Sequence, residues 1–223
     1  IGDLGGGMFG VMGILAALYE RERSGLGQHV DIAMVDCQIS MLNYMATMHF
    51  LSGVDPYPIG NAHFVHVPYD TFRCSDGFIV IAVITDNFWQ NLKQVVACPA
   101  FDDPRYDSQP GRWEARELIN RKLNEILGRN SCAYWLAMLE EQRIPCSAVN
   151  SFSQALSDPQ VLHRNMVVEL RHPDGRSTKG PGNPIKLSRT NEESFSAAPL
   201  LGGDTDSVMS ELLGLNATEI QTL

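Results

Sequence analysis

The sequence opens with Ile1-Gly2-Asp3-Leu4-Gly5-Gly6-Gly7-Met8-Phe9-Gly10, and this stretch decides how the rest is interpreted. Apolar residues recur at helical spacing from Val11 to Tyr19, which predicts a helix with one buried face that ends at Ser24-Gly25. Glycine has a low helix propensity, so the repeated glycines weaken this helix unless something must approach its backbone closely.

Asp3 stands at the start of this helix, and two interpretations of it stay open. Aspartate is a common N-cap residue, and the free amides of a first helical turn stabilise anions. Alternatively, a carboxylate in a glycine-lined position can attack an activated acyl group while nearby amides stabilise the oxyanion. Local sequence favours the cap, but Gly5 and Gly6 supply the uncrowded backbone that a nucleophile needs.

Length, charge and cysteine content limit the class of protein. The 223 residues can bury a core in one domain or two small ones. A formal net charge of −9 argues against nucleic acid or an anionic membrane as the main partner. No uninterrupted apolar run reaches the ~18 residues of a transmembrane helix, and no signal peptide is visible. The five scattered cysteines indicate reduced thiols in a cytoplasmic protein and no metal site.

The first sixty residues predict an α/β pattern. Residues 29–34 alternate polar and apolar side chains, as a strand does, and residues 35–51 form a second predicted helix. A helix, a turn, a strand and another helix are typical of a parallel α/β sheet. Two prolines and a glycine in residues 52–58 then predict a linker between domains.

Beyond the linker, the sequence predicts two β-hairpins and a series of helices. The hairpins are expected at 70–74 with 78–83, and at 166–171 with 177–180 around the turn 172–175. A short strand is expected near Ala148-Val149. Helices are expected at 86–96, 112–127, 131–141, 152–157, 159–164 and 204–213, with a short one from 217.

Few other motifs carry chemistry. His63 and His66 lie in a loop bounded by proline, without a carboxylate at ligand spacing, so a loop facing a substrate or a domain interface is favoured over a metal site. The chain has no GxSxG nucleophile elbow and no GxxxxGK[ST] phosphate-binding loop.

Several segments together resemble the class III CoA-transferases (the CaiB/BaiF type), the family of formyl-CoA transferase, carnitine CoA-transferase and α-methylacyl-CoA racemase. The matching segments follow one another in a consistent order along the whole chain. They are Gly2-Asp3, Gly7, 13–18, 23–28, 30–34, Gly60-Asn61-Ala62, Pro68-Tyr69, Phe72, Asp76-Gly77, 144–146, 158–160, 199–202 and Thr205. The resemblance covers only the C-terminal part, a little over half of a typical member. We therefore expect a fragment, a cleaved chain or one half of a split protein.

The resemblance implies a fold and an oligomeric state. The large domain of the family is Rossmann-like and is interrupted by an inserted small α+β domain. Residues 1–55 and 180–223 would belong to the large domain, and residues 56–179 would form the small domain with its linkers. The resemblance also implies an interlocked homodimer or, for this part alone, a complex with a companion that supplies the N-terminal half.

The resemblance also implies a reaction. Asp3 matches the nucleophile that attacks an acyl-CoA thioester, giving a mixed anhydride and then an aspartyl-CoA thioester, before CoA passes to a free carboxylic acid. A CoA thioester is thus a substrate, and no permanently bound cofactor is expected. Gly5, Gly6, Gly60, Asn61, His63 and His66 are the expected substrate-binding residues.

Two departures bear on the subfamily. Residues 63–66 occupy the place of a glycine-rich loop in the formyl-CoA transferase branch, so specificity for oxalate or formate is not expected. Thr85 stands where the racemase branch has an acid–base glutamate, and proton transfer at an α-carbon needs such a group. CoA transfer is therefore the first hypothesis. Racemisation and a non-catalytic fragment that needs a partner are the alternatives.

Overall fold

The computed structural model describes residues 1–172, 174–190 and 195–222 and contains both helices and strands. The chain divides into two units, which we call the N-terminal unit (Ile1–Phe64) and the C-terminal unit (Val65–Leu223). Mixed helix and strand content confirms the α/β class in its general form. The division into 1–55, 56–179 and 180–223 stays a prediction.

Three helices make up the regular structure of the N-terminal unit. They are α1 (Gly2–Ser24), α2 (Met34–Met41) and α3 (Tyr44–Ser52). Helix α1 ends where it was predicted to end, because Gly25 adopts the left-handed conformation (φ 74°) and donates its N–H to the carbonyl of Arg21. The single helix predicted for 35–51 is instead two helices, since Asn43 takes a positive φ of 52° between them.

The strand predicted for residues 29–34 is wrong. Residues 26–33 are irregular, and α2 already begins at Met34. A strand exists only when its backbone groups pair with a neighbour, and residues 1–64, all of which are described, contain no strand. Alternating polarity alone therefore could not produce one here.

The predicted burial of the apolar face of α1 is also wrong within this chain. Only Gly5 is buried, whereas Val11, Leu15 and Tyr19 are between 57% and 63% exposed. Helix α2 is the helix that packs on α1, and it is only eight residues long. Most of the apolar stripe that the 3.6-residue period predicts is thus left at the surface.

Helix α1 also has the length and composition of a membrane-spanning helix. Its 23 residues include a stretch of mean hydropathy 1.3, and it is the one helix of the described chain to meet both criteria. Glycines and Asp3 interrupt the apolar residues of α1, so no uninterrupted apolar run marks it, whereas mean hydropathy is averaged over 18 residues. Core helices of soluble proteins meet the same two criteria.

The C-terminal unit is organised around a three-stranded antiparallel sheet. Its strands are β1 (Tyr69–Arg73), β2 (Phe78–Ala82) and β3 (Cys146–Ala148), with β2 in the centre. Phe72 pairs with Ile79 across the first hairpin, which confirms the predicted hairpin. A second hairpin joins β4 (Val167–Arg171) to β5 (Ser177–Pro181), also as predicted. Pro173 in its turn lies outside the described residues.

Eight helices of the C-terminal unit accompany these strands in the described residues. They are α4 (Asp86–Val96), α5 (Gln109–Glu114), α6 (Arg116–Leu127), α7 (Cys132–Glu141), α8 (Phe152–Ser157), α9 (Pro159–His163), α10 (Thr205–Leu213) and α11 (Ala217–Gln221). Most bounds agree with the predictions. The helix predicted for 112–127 begins earlier and is interrupted at Ala115.

The core lies between the three-stranded sheet and helices α4, α6 and α7. Ile79 and Ile81 of β2 are fully buried, as expected for alternate residues on one face of a strand. Leu92 of α4 and Leu123 of α6 are buried against the same cluster. Burying such a side chain stabilises the fold by roughly 1.5–3 kcal/mol, so this core holds the sheet and the loops at its edges in place.

Candidate functional site

Asp3 lies inside the first turn of α1 and not at its cap. The helix begins at Gly2, Ile1 is the N-cap residue, and no side chain makes a capping hydrogen bond. The capping interpretation of Asp3 is therefore wrong. Its side chain is exposed and lies beside first-turn backbone N–H groups, which can stabilise a bound anion.

The glycines that follow Asp3 differ in their surroundings. A Cβ on Gly5 would lie 2.6 Å from Cε of Met41, and one on Gly6 would lie 3.2 Å from Cγ of Met34. Both positions are thus filled by side chains of α2, and these two glycines allow α1 and α2 to pack closely. A Cβ on Gly7, in contrast, would meet no heavy atom within 4 Å.

The backbone amides of these glycines belong to the helix. The N–H of Gly5 donates to the carbonyl of Ile1 at 2.8 Å, and Gly6 and Gly7 lie further inside α1, where each N–H bonds to the residue four positions earlier. The amides without an intrahelical acceptor are those of Gly2, Asp3 and Leu4. The amides that are free to act as oxyanion donors are therefore those of the first helical turn, which contains Asp3, and not those of the glycine run, as the sequence suggested.

Gln38 is a polar residue near this turn that the sequence did not single out. Its side chain reaches from α2, and its Nε2 atom lies 3.3 Å from the position of a Cβ on Gly2. The same Nε2 donates to the carbonyl of Met34 at 3.4 Å. Only the packing of α2 against α1 brings Gln38 next to Gly2, since the two residues are far apart in the sequence.

Residues 60–66 form the second set of predicted site residues. Gly60 takes a positive φ of 68°, and Asn61 is exposed. The ring of His63 stacks on Phe64 with a centroid distance of 4.5 Å and an angle of 21°. Phe64 in turn packs against Tyr44 of α3, with ring centroids 5.5 Å apart. Tyr44 is thus a further residue that shapes this loop and that sequence reasoning missed.

The predicted site residues are divided between the two units. Asp3, Gly5 and Gly6 share helix α1, while Gly60, Asn61 and His63 share one loop of the same N-terminal unit. His66 is half-buried and begins the C-terminal unit together with Val65. Their assignment to a single site stays a prediction.

Thr85 has a structural role at the position compared with the racemase glutamate. It is the N-cap residue of α4, and its hydroxyl accepts a hydrogen bond from the N–H of Phe88 at 3.4 Å. A threonine hydroxyl does not ionise near neutral pH, so it cannot act as the acid–base group of a racemase. No observation in the described chain favours racemisation.

The cysteines and histidines add no other reactive centre in the described residues. All five cysteines are free thiols, and no group of three metal-ligating side chains comes together in that part of the chain. Burial raises the pKa of the Cys74 thiol to about 12, from an ordinary value of 9.0. Such a thiol is almost entirely protonated at neutral pH and is a poor nucleophile.

The fold and the sequence define the class of protein. The chain belongs to CoA-transferase family III, whose family model matches residues 1–205. This match confirms the resemblance found in the sequence.

Individual relatives within this family show how similar the chain is to known CoA-transferases and how much of their length it covers. The chain is 31% identical over 189 residues to acetyl-CoA:oxalate CoA-transferase of Acetobacter aceti, covering 84% of this chain and 47% of that protein. It is 31% identical over 223 residues to succinate–glutarate CoA-transferase of Agrobacterium fabrum, covering 98% and 55%. The crystal structure of a CaiB/BaiF family protein from Brucella suis has a TM-score of 0.79 at 29% identity, covering 93% of this chain and 54% of that one. The chain thus spans about half the length of the relatives it matches.

Proposed function

We propose that this chain takes part in CoA transfer from an acyl-CoA to a free dicarboxylic acid, with Asp3 as the nucleophile. The observation that carries the proposal is the position of Asp3, an exposed carboxylate in the first turn of a helix that it does not cap. Membership of CoA-transferase family III supports the reaction class.

Asp3 is the only covalent catalyst that the proposed reaction needs. A carboxylate oxygen of Asp3 attacks the thioester carbonyl of the donor, and CoA leaves as the thiolate. The thiolate then attacks the Asp3 carbonyl of this mixed anhydride, which releases the donor acid and forms an aspartyl-CoA thioester. The acceptor carboxylate attacks this thioester and displaces the thiolate. Attack of the thiolate on the acceptor carbonyl finally forms the new acyl-CoA and regenerates Asp3.

The first turn of α1 supplies the electrostatics for these steps. Each addition places negative charge on a carbonyl oxygen, and donors that already point at that position lower the barrier. The amides of Gly2, Asp3 and Leu4 and the side-chain amide of Gln38 are the candidate donors. Gly7 leaves open backbone surface one turn further along, where a bulky acyl group can approach.

A dicarboxylate is the proposed acceptor because two relatives are named for such acids, oxalate and glutarate. One carboxylate of the acceptor reacts, and the other must be bound. Asn61, His63 and His66 are the polar side chains proposed to bind it. Residues 63–66 replace the glycine-rich loop of the formyl-CoA transferase branch, so we propose glutarate rather than oxalate as the acceptor.

The complete assembly is proposed to contain more than this chain folded alone. The exposed apolar residues of α1 form a surface of the kind that usually contacts another polypeptide. We propose that it is covered either in an interlocked homodimer or by a companion that supplies the rest of a Rossmann-like large domain. In this proposal residues 56–179 form the inserted small domain, and the assembly is cytoplasmic.

The test follows the covalent intermediate. The protein is incubated with succinyl-CoA alone and analysed by mass spectrometry for an acyl or CoA adduct on the peptide containing Asp3, with hydroxylamine added to trap it. Asp3→Asn should abolish the adduct and the transfer of CoA to glutarate. The matched control is Asp36→Asn, which removes a carboxylate from the first turn of α2 and should leave both intact. Undiminished transfer by Asp3→Asn would refute the proposal.

A further inference from the structure

Two side chains of α5 hold the backbone on either side of His66. The Nε2 atom of Gln109 donates to the carbonyl oxygen of Val65, and Nε of Arg112 donates to the carbonyl oxygen of Val67 at 2.8 Å. These residues lie more than forty positions away along the chain. The residue between the two held carbonyls is His66, which the proposed function assigns to the acceptor acid.

Arg112 is anchored firmly enough to act as a fixed support. Its side chain is fully buried, and it is the only charged or polar residue of the described chain found in the buried class. Besides Val67 it donates to the carbonyl of Tyr106 at 2.8 Å and to Oδ1 of Asp86 at 2.7 Å. Its guanidinium carbon also lies 5.5 Å from the centre of the Trp89 ring. A buried cation with this many partners has little freedom to move.

Gln109 connects this support to Val65. Its Oε1 accepts a hydrogen bond from Nη2 of Arg112 at 2.7 Å, while its Nε2 donates to Val65. The direction of the amide is thereby determined, since only the NH₂ group can donate to a carbonyl and only the oxygen can accept from a guanidinium. Arg112 thus holds the Gln109 amide, and that amide in turn holds the backbone of Val65, the residue before His66.

We infer that Gln109 and Arg112 are positioning residues, which hold His66 in the orientation that binds a carboxylate of the acceptor acid. The inference rests on the proposed function, because that proposal supplies the role of His66. Neither residue is assigned to the substrate itself. They act by restricting the backbone at Val65 and Val67, so that His66 pays less conformational entropy when the acid binds.

Gln109→Glu separates this role from plain structural support. Glutamate has the shape of glutamine and still accepts from Arg112, now as a charged pair, so the packing of α5 is kept. It cannot donate to Val65, and its carboxylate repels that carbonyl. A residue that only stabilised Arg112 would tolerate the change, whereas a positioning residue for His66 would not.

The experiment measures acceptor binding in the full chain, with glutarate as the probe. Dissociation constants are obtained from NMR titration of the His66 ring signals, or by calorimetry where His66 is replaced. Gln109→Glu should weaken glutarate binding roughly 2- to 10-fold, the range expected for one lost hydrogen bond. The matched control is Gln90→Ala, which removes the hydrogen bond from Gln90 to Asp107 elsewhere in the same unit and should leave binding unchanged.

A double-mutant cycle shows whether Gln109 acts through His66. If it does, His66→Ala combined with Gln109→Glu binds glutarate as weakly as His66→Ala alone. Wild-type affinity in Gln109→Glu, or effects that multiply in the double variant, would overturn the inference. A failed proposed function is recognised separately, because it would leave Asp3 without an adduct in the wild-type protein. In an active protein, Gln109→Glu should raise KM for glutarate and leave the rate of adduct formation unchanged.

Discussion

The carboxylate of Asp76 accepts a hydrogen bond of 2.7 Å from the backbone N–H of Cys132. Asp76 lies in the turn between β1 and β2, and Cys132 is the first residue of α7, so this bond joins the hairpin to the start of a helix 56 residues away. The first-turn N–H groups of a helix lack partners within the helix, and a carboxylate is well suited to satisfy one of them. Sequence spacing marks Asp76-Gly77 as a turn but does not reveal this partner.

The first prediction concerns the acid stability of this contact. The hydrogen bond from Cys132 lowers the pKa of Asp76 below its ordinary value of 3.8. A lowered pKa means that the group stabilises the fold above pH 3.8, and that this contribution is lost as the pH falls through the lower value of the folded state. Asp76→Asn keeps an oxygen acceptor but does not titrate. Between pH 5 and pH 2, its unfolding free energy should therefore fall less steeply than that of the wild-type protein. Urea unfolding at each pH measures this, and parallel curves for the two proteins would contradict it.

The second prediction concerns Cys74, which directly follows β1 at the turn of the first hairpin and is only 2% exposed. Burial, and then its contacts with Cys132 and Asp76, raise the pKa of Cys74 to about 12. At pH 8 only about one thiol in ten thousand is then the reactive thiolate. Iodoacetamide at pH 8 should leave Cys74 unmodified in the native protein and modify it fully in urea, as read by peptide mass spectrometry. Rapid modification of native Cys74 would show that the thiol is neither buried nor protonated.

The sequence predicts local elements well where their signals are local. The hairpin at Asp76-Gly77 and the amphipathic helix α4 depend on turn residues and on a 3.6-residue period, and both form as predicted. The strand at 29–34 fails because a strand needs a partner, which periodicity cannot supply. Contacts between helices are likewise absent from local periodicity. The sequence therefore identifies Asp3 as a candidate nucleophile but does not single out Gln38 or Tyr44. Those two reach their neighbours only through helix packing, and the role of Asp3 came from family resemblance rather than from local chemistry.

The third prediction concerns Gly111, which lies in α5 between Gln109 and Arg112. A Cβ at this position would lie 1.8 Å from the backbone carbonyl oxygen of Arg105, so the backbone itself must move to admit any side chain. Gly111→Ala should destabilise the C-terminal unit by about 1–3 kcal/mol, the range for overpacking. All three tryptophans lie in that unit, so their fluorescence reports its unfolding in urea.

Gly7→Ala is the matched control for that measurement. It makes the same chemical change where no heavy atom lies within 4 Å, in a helix of the other unit. The unfolding transition reported by tryptophan fluorescence should not move. Helix α1 itself should be stabilised by up to about 1 kcal/mol, because alanine has a higher helix propensity than glycine. Equal shifts of the tryptophan transition in both variants would show that the contact with Arg105 is not the cause.

The last prediction separates the two partners of the ion pair between Arg112 and Asp86. The Arg112 side chain is fully buried, whereas that of Asp86 is 64% exposed. Removing the exposed charge leaves Arg112 with the carbonyls of Val67 and Tyr106, and with Gln109, so Asp86→Asn should cost less than about 1 kcal/mol. Arg112→Met leaves the carbonyls of Val67 and Tyr106 without their buried donor. It should cost about 2–6 kcal/mol, since each unsatisfied buried polar group costs about 1–3 kcal/mol. Tryptophan fluorescence in urea measures both. The asymmetry is the test: if Asp86→Asn is as damaging as Arg112→Met, the ion pair holds this region together. If only Arg112→Met is damaging, the hydrogen bonds to the backbone carbonyls do so.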